Sequence, residues 1–102
     1  NVMNKRGLLK QIPPRYRSTY FNHTMGGGYT AGYYSYIWAE VLDADAFEAF
    51  KETGDIFNQD KAIKFRNNVL TPGAIDDAMD MYKNFRGKEP GTAPLLKNRG
   101  LM

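Results

Sequence analysis

The apolar and polar positions divide this chain into an aromatic, glycine-broken front and a helical rear. Residues 1–11 are basic and polar, with Leu8 and Leu9 as their one adjacent apolar pair. They read as a helix end that Pro13 and Pro14 stop, because proline lacks the backbone N–H and biases the residue before it toward extended geometry. Residues 15–22, RYRSTYFN, are dense in aromatic and β-favouring side chains and predict a short extended segment. Residues 23–28, HTMGGG, predict a loop, since ordering three consecutive glycines costs much backbone entropy. Beyond the loop the spacing turns helical. The good helix formers Ala31, Ala39, Glu40, Leu42, Ala44, Ala46, Glu48 and Ala49 predict a long helix over 30–51, with Gly54 as its stop. Asn58 caps a second over 59–70, with Ala62, Phe65 and Val69 in register. Thr71 and Pro72 open a third, whose stripe is Ile75, Ala78, Met79, Tyr82 and Phe85 and whose end is Gly87. Residues 88–102 hold two prolines and two glycines without periodicity and read as an irregular strap.

The resulting class is mainly α: an extended segment and glycine loop over 1–29, three helices over 30–87, and a tail over 88–102. No internal repeat or low-complexity tract interrupts it. The first long helix is unusual. Tyr33, Tyr34, Tyr36, Ile37, Trp38, Val41 and Leu42 occupy nearly every face of its wheel. A surface helix keeps one polar side, whereas a helix apolar all round sits inside a larger body. Two short partner helices cover about half such a circumference, so the geometry calls for neighbours outside this chain. Self-association through the same helix is the other way to cover it.

Composition narrows the function. The 102 residues suit one small domain, and 42% hydrophobic with 25% charged residues suits a folded chain. With no cysteine, disulfides, cysteine zinc sites and thiol nucleophiles are excluded, and a single histidine cannot build a zinc site alone. No apolar run is long enough to span a bilayer, and a signal peptide is not evident. A net charge of +3, from 14 basic and 11 acidic residues, produces no strong positive field.

Candidate chemistry lies in the front half. Six of the seven tyrosines fall between Tyr16 and Tyr36, and His23 lies among them. Phenols and an imidazole around glycines form a polar surface that another backbone can approach, because no Cβ intrudes. A peptide substrate is such a backbone. Phenol hydroxyls can donate to a carbonyl oxygen that becomes negative in a transition state. Tyr29 and Tyr36 are about 10 Å apart along one face if both are helical. If Tyr29 lies in the loop, it can fold back to meet Tyr36.

The stretch H-x-x-G-G-G-Y-x-A-G-Y-Y-x-Y-x-W, from His23 to Trp38, resembles the loop-and-helix segment of the thimet oligopeptidase and peptidyl-dipeptidase family of zinc metallopeptidases. The three-glycine form preceded by PPRY is most similar to the bacterial peptidyl-dipeptidase (dipeptidyl carboxypeptidase) branch; the thimet oligopeptidase loop is one residue shorter. The likeness continues through Asp45 and Phe47, KFRNNVL at 64–70, FRGKEP at 85–90 and LLKNRGL at 95–101. It implies the C-terminal part of a larger all-helical zincin-type enzyme with a deep channel. That enzyme hydrolyses short peptides, releases C-terminal dipeptides, and works in a bacterial cytoplasm or periplasm. By this resemblance His23 binds substrate near the scissile bond, Tyr29 and Tyr36 hydrogen-bond its carbonyl and tetrahedral intermediate, and Gly26, Gly27 and Gly28 contact substrate backbone. Zinc and its activated water belong to a His-Glu-x-x-His helix and a third glutamate. That motif is absent here, so the implied partners are peptide substrates and the N-terminal remainder of the same enzyme, and the chain alone is expected to be inactive.

Other readings compete residue by residue. Tyr33, Tyr34 and Trp38 read as packing residues. The glycine triplet is no phosphate loop, because the Gly-Lys-Ser/Thr ending is missing. Asn22-His23-Thr24 fits a glycosylation sequon, read as chance because a glycan would block the loop. Arg15, Arg17, Lys64 and Arg66 are candidates to hold a substrate carboxylate or else surface ion-pair partners. Asp43, Asp45, Asp76, Asp77 and Asp80 read as solvated helix faces. Two other functions fit less of the chain: a stand-alone peptide-binding module, and single-stranded nucleic-acid binding through RYRSTYF, which the balanced charge disfavours.

Overall fold

The computed structural model describes residues 5–12 and 17–102. They fall into two compact units, one up to Tyr34 and one from Ser35 onward. Among the described residues five α-helices and no strand occur.

In the first unit a 3-10 turn spans Ser18–Tyr20, helix α1 spans Asn22–Met25, and a second 3-10 turn spans Thr30–Tyr34. The extended segment expected over 15–22 is therefore corrected for residues 18–22; residues 15 and 16, with the candidate Arg15, lie outside the described residues. His23 is likewise helical rather than looped. The reason is local bonding. The Tyr20 N–H donates to the Arg17 carbonyl at 2.8 Å, and the Thr24 and Met25 N–H groups donate to the Phe21 carbonyl at 3.1 Å. β-propensity reflects fit to a pleated neighbour, and the described residues offer no strand to pair with.

The second unit is a helical cluster. Helix α2 (Ser35–Lys51) buries Val41, Ala44, Asp45 and Ala49, spaced as one helical stripe. Helix α3 (Gln59–Phe65) starts where the Asn58 side chain accepts from the Lys61 N–H at 2.9 Å. It continues as a π turn over Arg66–Leu70, closed by the Thr71 N–H donating to the Arg66 carbonyl at 2.8 Å. Helix α4 (Ala78–Arg86) starts later than expected. The chain turns at Gly73, whose φ of 62° is left-handed, and the Asp77 carboxylate caps the helix by accepting from Met79 and Asp80 N–H groups. Gly87, at φ 81°, ends α4 as foreseen and donates back to the Lys83 carbonyl at 2.7 Å.

The tail is not a strap throughout. Helix α5 (Ala93–Asn98) carries Pro94 in its first turn, where a missing N–H costs nothing, and packs on α2. Six residues are too few to display a period. Phe85 is the hub of the core, fully buried and edge-on to Phe65 at 5.0 Å between centroids. Burial of such a side chain contributes roughly 1.5–3 kcal/mol. The N-terminal end of α2 stays open: Tyr36, Ile37 and Trp38 are about half exposed. A groove of about 380 Å³ beside them is lined by Trp38, Leu42, Ala46, Phe65, Val69 and Met79.

Candidate functional site: the glycine loop and its aromatic rings

The loop after α1 doubles back on that helix. The Gly26 and Gly27 N–H groups both donate to the Asn22 carbonyl, at 2.8 and 2.7 Å. A Cβ on Gly27 would lie 3.1–3.2 Å from backbone atoms of Asn22 and His23, a crowding that glycine avoids and that would require the turn to give by a few tenths of an ångström. A Cβ on Gly28, by contrast, would meet nothing within 4 Å.

The reversal carries Tyr29 toward His23, with ring centroids 6.1 Å apart. Tyr33 reaches both, at 5.6 Å from His23 and 5.8 Å, edge-on, from Tyr29. Phe21 lies edge-on against Tyr33 at 4.8 Å and tilted against His23 at 6.2 Å. His23 and Tyr29 are exposed, whereas Phe21 and Tyr33 are half-buried. Edge-to-face contacts of this kind contribute about 0.5–1.5 kcal/mol each beyond area burial.

Thr30, next to Tyr29, has φ 44°, a left-handed conformation that a β-branched residue rarely adopts. The Gly32 N–H closes the turn around it by donating to the Tyr29 carbonyl at 2.7 Å, while the Thr24 hydroxyl donates to the Phe21 carbonyl at 3.1 Å within α1 and its cap. The site thus presents an imidazole, able to donate or accept, beside a phenol that can donate, on a turn whose outer glycine is sterically open.

Of the expected site residues, His23, Gly26, Gly27, Gly28 and Tyr29 form this one cluster. Tyr33, read from the sequence as a packing residue, is the ring that joins them. Tyr36 belongs to the second unit, as the second residue of α2, and is 53% exposed.

The second unit holds a polar cluster that sequence reading missed. Asp45 is 2% exposed, which corrects its reading as a solvated position. Its Oδ2 accepts from the Tyr82 hydroxyl at 2.7 Å and from Arg86 Nε at 3.0 Å. The rest of the Arg86 guanidinium forks onto Glu52 at 2.6 and 2.7 Å. The hydrogen-bonded Glu52 carboxylate raises the Arg86 pKa further, and Arg86 in turn holds Glu52 below the usual carboxylate range. Burial, then the bond to Asp45, pushes the Tyr82 phenol up. A signal was present: Asp45 lies on the apolar stripe of Val41, Ala44 and Ala49, and Glu52 follows two turns later. Asp77 is also no plain solvated residue, since it caps α4.

An open bowl of about 550 Å³ adjoins this network, lined by Glu48, Glu52, Arg86, Lys88 and Lys97 among others. Its charges are of mixed sign, and Arg86 is already engaged. Among the described residues no group of three or more His, Cys, Asp or Glu could hold a metal ion. The side chains here do not fit a zinc site. No described helix is long and apolar enough to cross a membrane.

The class of protein this chain is similar to is the peptidases. Residues 1–101 match the model of Peptidase family M3, and the chain belongs to that family. It is 44% identical over 93 residues to dipeptidyl carboxypeptidase of Escherichia coli (strain K12), which covers 91% of this chain and 14% of the relative. Against oligopeptidase A of Haemophilus influenzae the identity is 49% over 82 residues, 80% of this chain and 12% of the relative. An organellar oligopeptidase A of Arabidopsis thaliana is 44% identical over 99% of this chain and 13% of its own length. The chain therefore spans about one-eighth of the length of the curated relatives it matches.

Proposed function

We propose that this chain supplies the substrate-binding loop of a zinc peptidase that hydrolyses short peptides and releases C-terminal dipeptides. The observation that supports this reading best is the clustering of His23, Tyr29 and Tyr33 over the turn at Gly27. In this reading Gly28 and its neighbours admit the substrate backbone. His23 binds substrate near the scissile bond, and Tyr29 and Tyr36 donate hydroxyl hydrogens to the carbonyl oxygen as charge develops on it. Hydrogen bonds that strengthen as the carbonyl becomes an oxyanion raise turnover more than they raise substrate affinity.

Zinc, which the family generally uses, is held by residues outside this chain. The partners are peptides and the remainder of the same enzyme, which covers the exposed N-terminal end of α2. The half-exposed Ile37 and Trp38 and the groove beside them support that placement. By itself the chain is inactive, because it brings donors but no metal ligands.

Tyr36→Phe in the full-length enzyme tests the assignment. Loss of an oxyanion donor is expected to lower kcat by about 10²–10³-fold with metal content unchanged. Tyr29→Phe is expected to act in the same direction. Full turnover in both variants overturns the reading.

A further inference from the structure

We infer that Phe21 is a positioning residue for peptide binding, holding the His23 imidazole and the Tyr29 phenol in one orientation; this rests on the substrate-binding reading of those two groups. Phe21 has no polar side-chain atom and cannot bind a peptide amide by hydrogen bonding. It is half-buried where the two polar residues are exposed. Its ring is edge-on to Tyr33 at 4.8 Å, the closest pair of the cluster, and it also touches His23 at 6.2 Å. Tyr33 carries that constraint on to Tyr29. The backbone of Phe21 serves the same end, since its carbonyl accepts from the Thr24 and Met25 N–H groups and from the Thr24 hydroxyl.

The strain at Thr30 makes such a support necessary. A left-handed threonine persists only where its surroundings over-determine it. Thr30 lies between Tyr29 and Tyr33, and its turn is what lets those two rings meet. Without Phe21 to seat Tyr33, the chain can relax toward ordinary φ, and Tyr29 swings away from His23. The exposed pair would then have to be ordered at each binding event, which weakens binding without touching the groups that bind.

The test uses the full-length enzyme and a short peptide substrate. Phe21→Leu is expected to lower kcat/KM about tenfold, as misplacement of binding groups does, while Phe21→Tyr, which keeps the ring, stays within about twofold of the parent. Metal content and the thermal midpoint should hold. In a His23→Ala, Tyr29→Phe background the same Phe21→Leu change should add less than about twofold, because a residue that acts through its neighbours is non-additive with their loss. Phe21→Met serves where the leucine variant does not fold. Full additivity, or wild-type kcat/KM in Phe21→Leu while His23→Ala and Tyr29→Phe impair it, overturns the inference alone. Unimpaired His23→Ala and Tyr29→Phe enzymes would instead remove the reading beneath it.

Discussion

The two units of this chain treat their polar side chains in opposite ways. In the helical unit Asp45, Glu52, Tyr82 and Arg86 bond to one another, and among the described residues no buried side-chain polar atom lacks a partner. In the loop unit His23 and Tyr29 lie tilted to one another at 6.1 Å between ring centroids, and both residues are exposed. One arrangement ties two helices together through buried hydrogen bonds; the other sets two polar rings at an exposed position. The same phenol that is a strut at Tyr82 is a candidate donor at Tyr29. Ionisable groups in a network, even with shifted pKa values, can therefore be structural, and the position of the polar atom decides between the two uses.

The contrast can be broken by mutation, most forcefully at Arg86. Arg86→Ala leaves Asp45 as an uncompensated buried charge and is expected to cost about 3–5 kcal/mol of stability, measured by urea unfolding of the full-length enzyme. His23→Ala, on the loop, should leave that unfolding midpoint nearly unmoved while impairing peptide turnover. Equal destabilisation by the two would erase the distinction.

A smaller effect follows from titration. The folded-state pKa of Tyr82 lies above its ordinary value of 10.0. Its contribution to stability is therefore complete below about pH 10 and declines above it, as the unfolded phenol loses its proton and the folded one keeps it. Glu52, held below its ordinary 4.5, gives the opposite slope: its contribution is present above that pH and fades as acid protonates it. Tyr82→Phe should flatten the alkaline slope in a stability–pH profile and leave the acid slope intact.

The smallest expected effect is at the α4 cap. Asp77→Ala removes the acceptor for two N–H groups and should cost about 1 kcal/mol, read from the same unfolding curves. Because Asp77 contacts only the first turn of its own helix and is no proposed substrate contact, turnover per folded molecule should not change.

Much of the rear half was legible because its signals are local. Asn58 as a cap and Gly87 as a stop act within a few residues, and Tyr82 and Phe85 keep the stripe expected of α4, whereas Ile75, placed on that stripe, precedes the helix and is 82% exposed while Met81 is buried instead. The errors came where a local reading met a competing local bond or a short element. Thr71-Pro72 looked like a helix start, but Gly73 turns the chain and Asp77 supplies the cap. Residues 18–22 looked extended, but i to i+3 bonds curl them into turns. The presence of an imidazole, phenols and glycines in one loop was legible in residue types and spacing, whereas the contact of Tyr33 with both His23 and Tyr29 was not.

By itself the sequence determined the mainly helical class, the glycine turn and the set of phenols and imidazole around it, since propensity, capping and composition are properties of neighbours along the chain. Tertiary structure alone decided that Asp45 is buried, that Arg86 is spent on two carboxylates, and that the rings of Phe21, His23, Tyr29 and Tyr33 come together. Those facts depend on which residues meet across a turn or between helices, and burial and ring contact have no existence until the chain has folded.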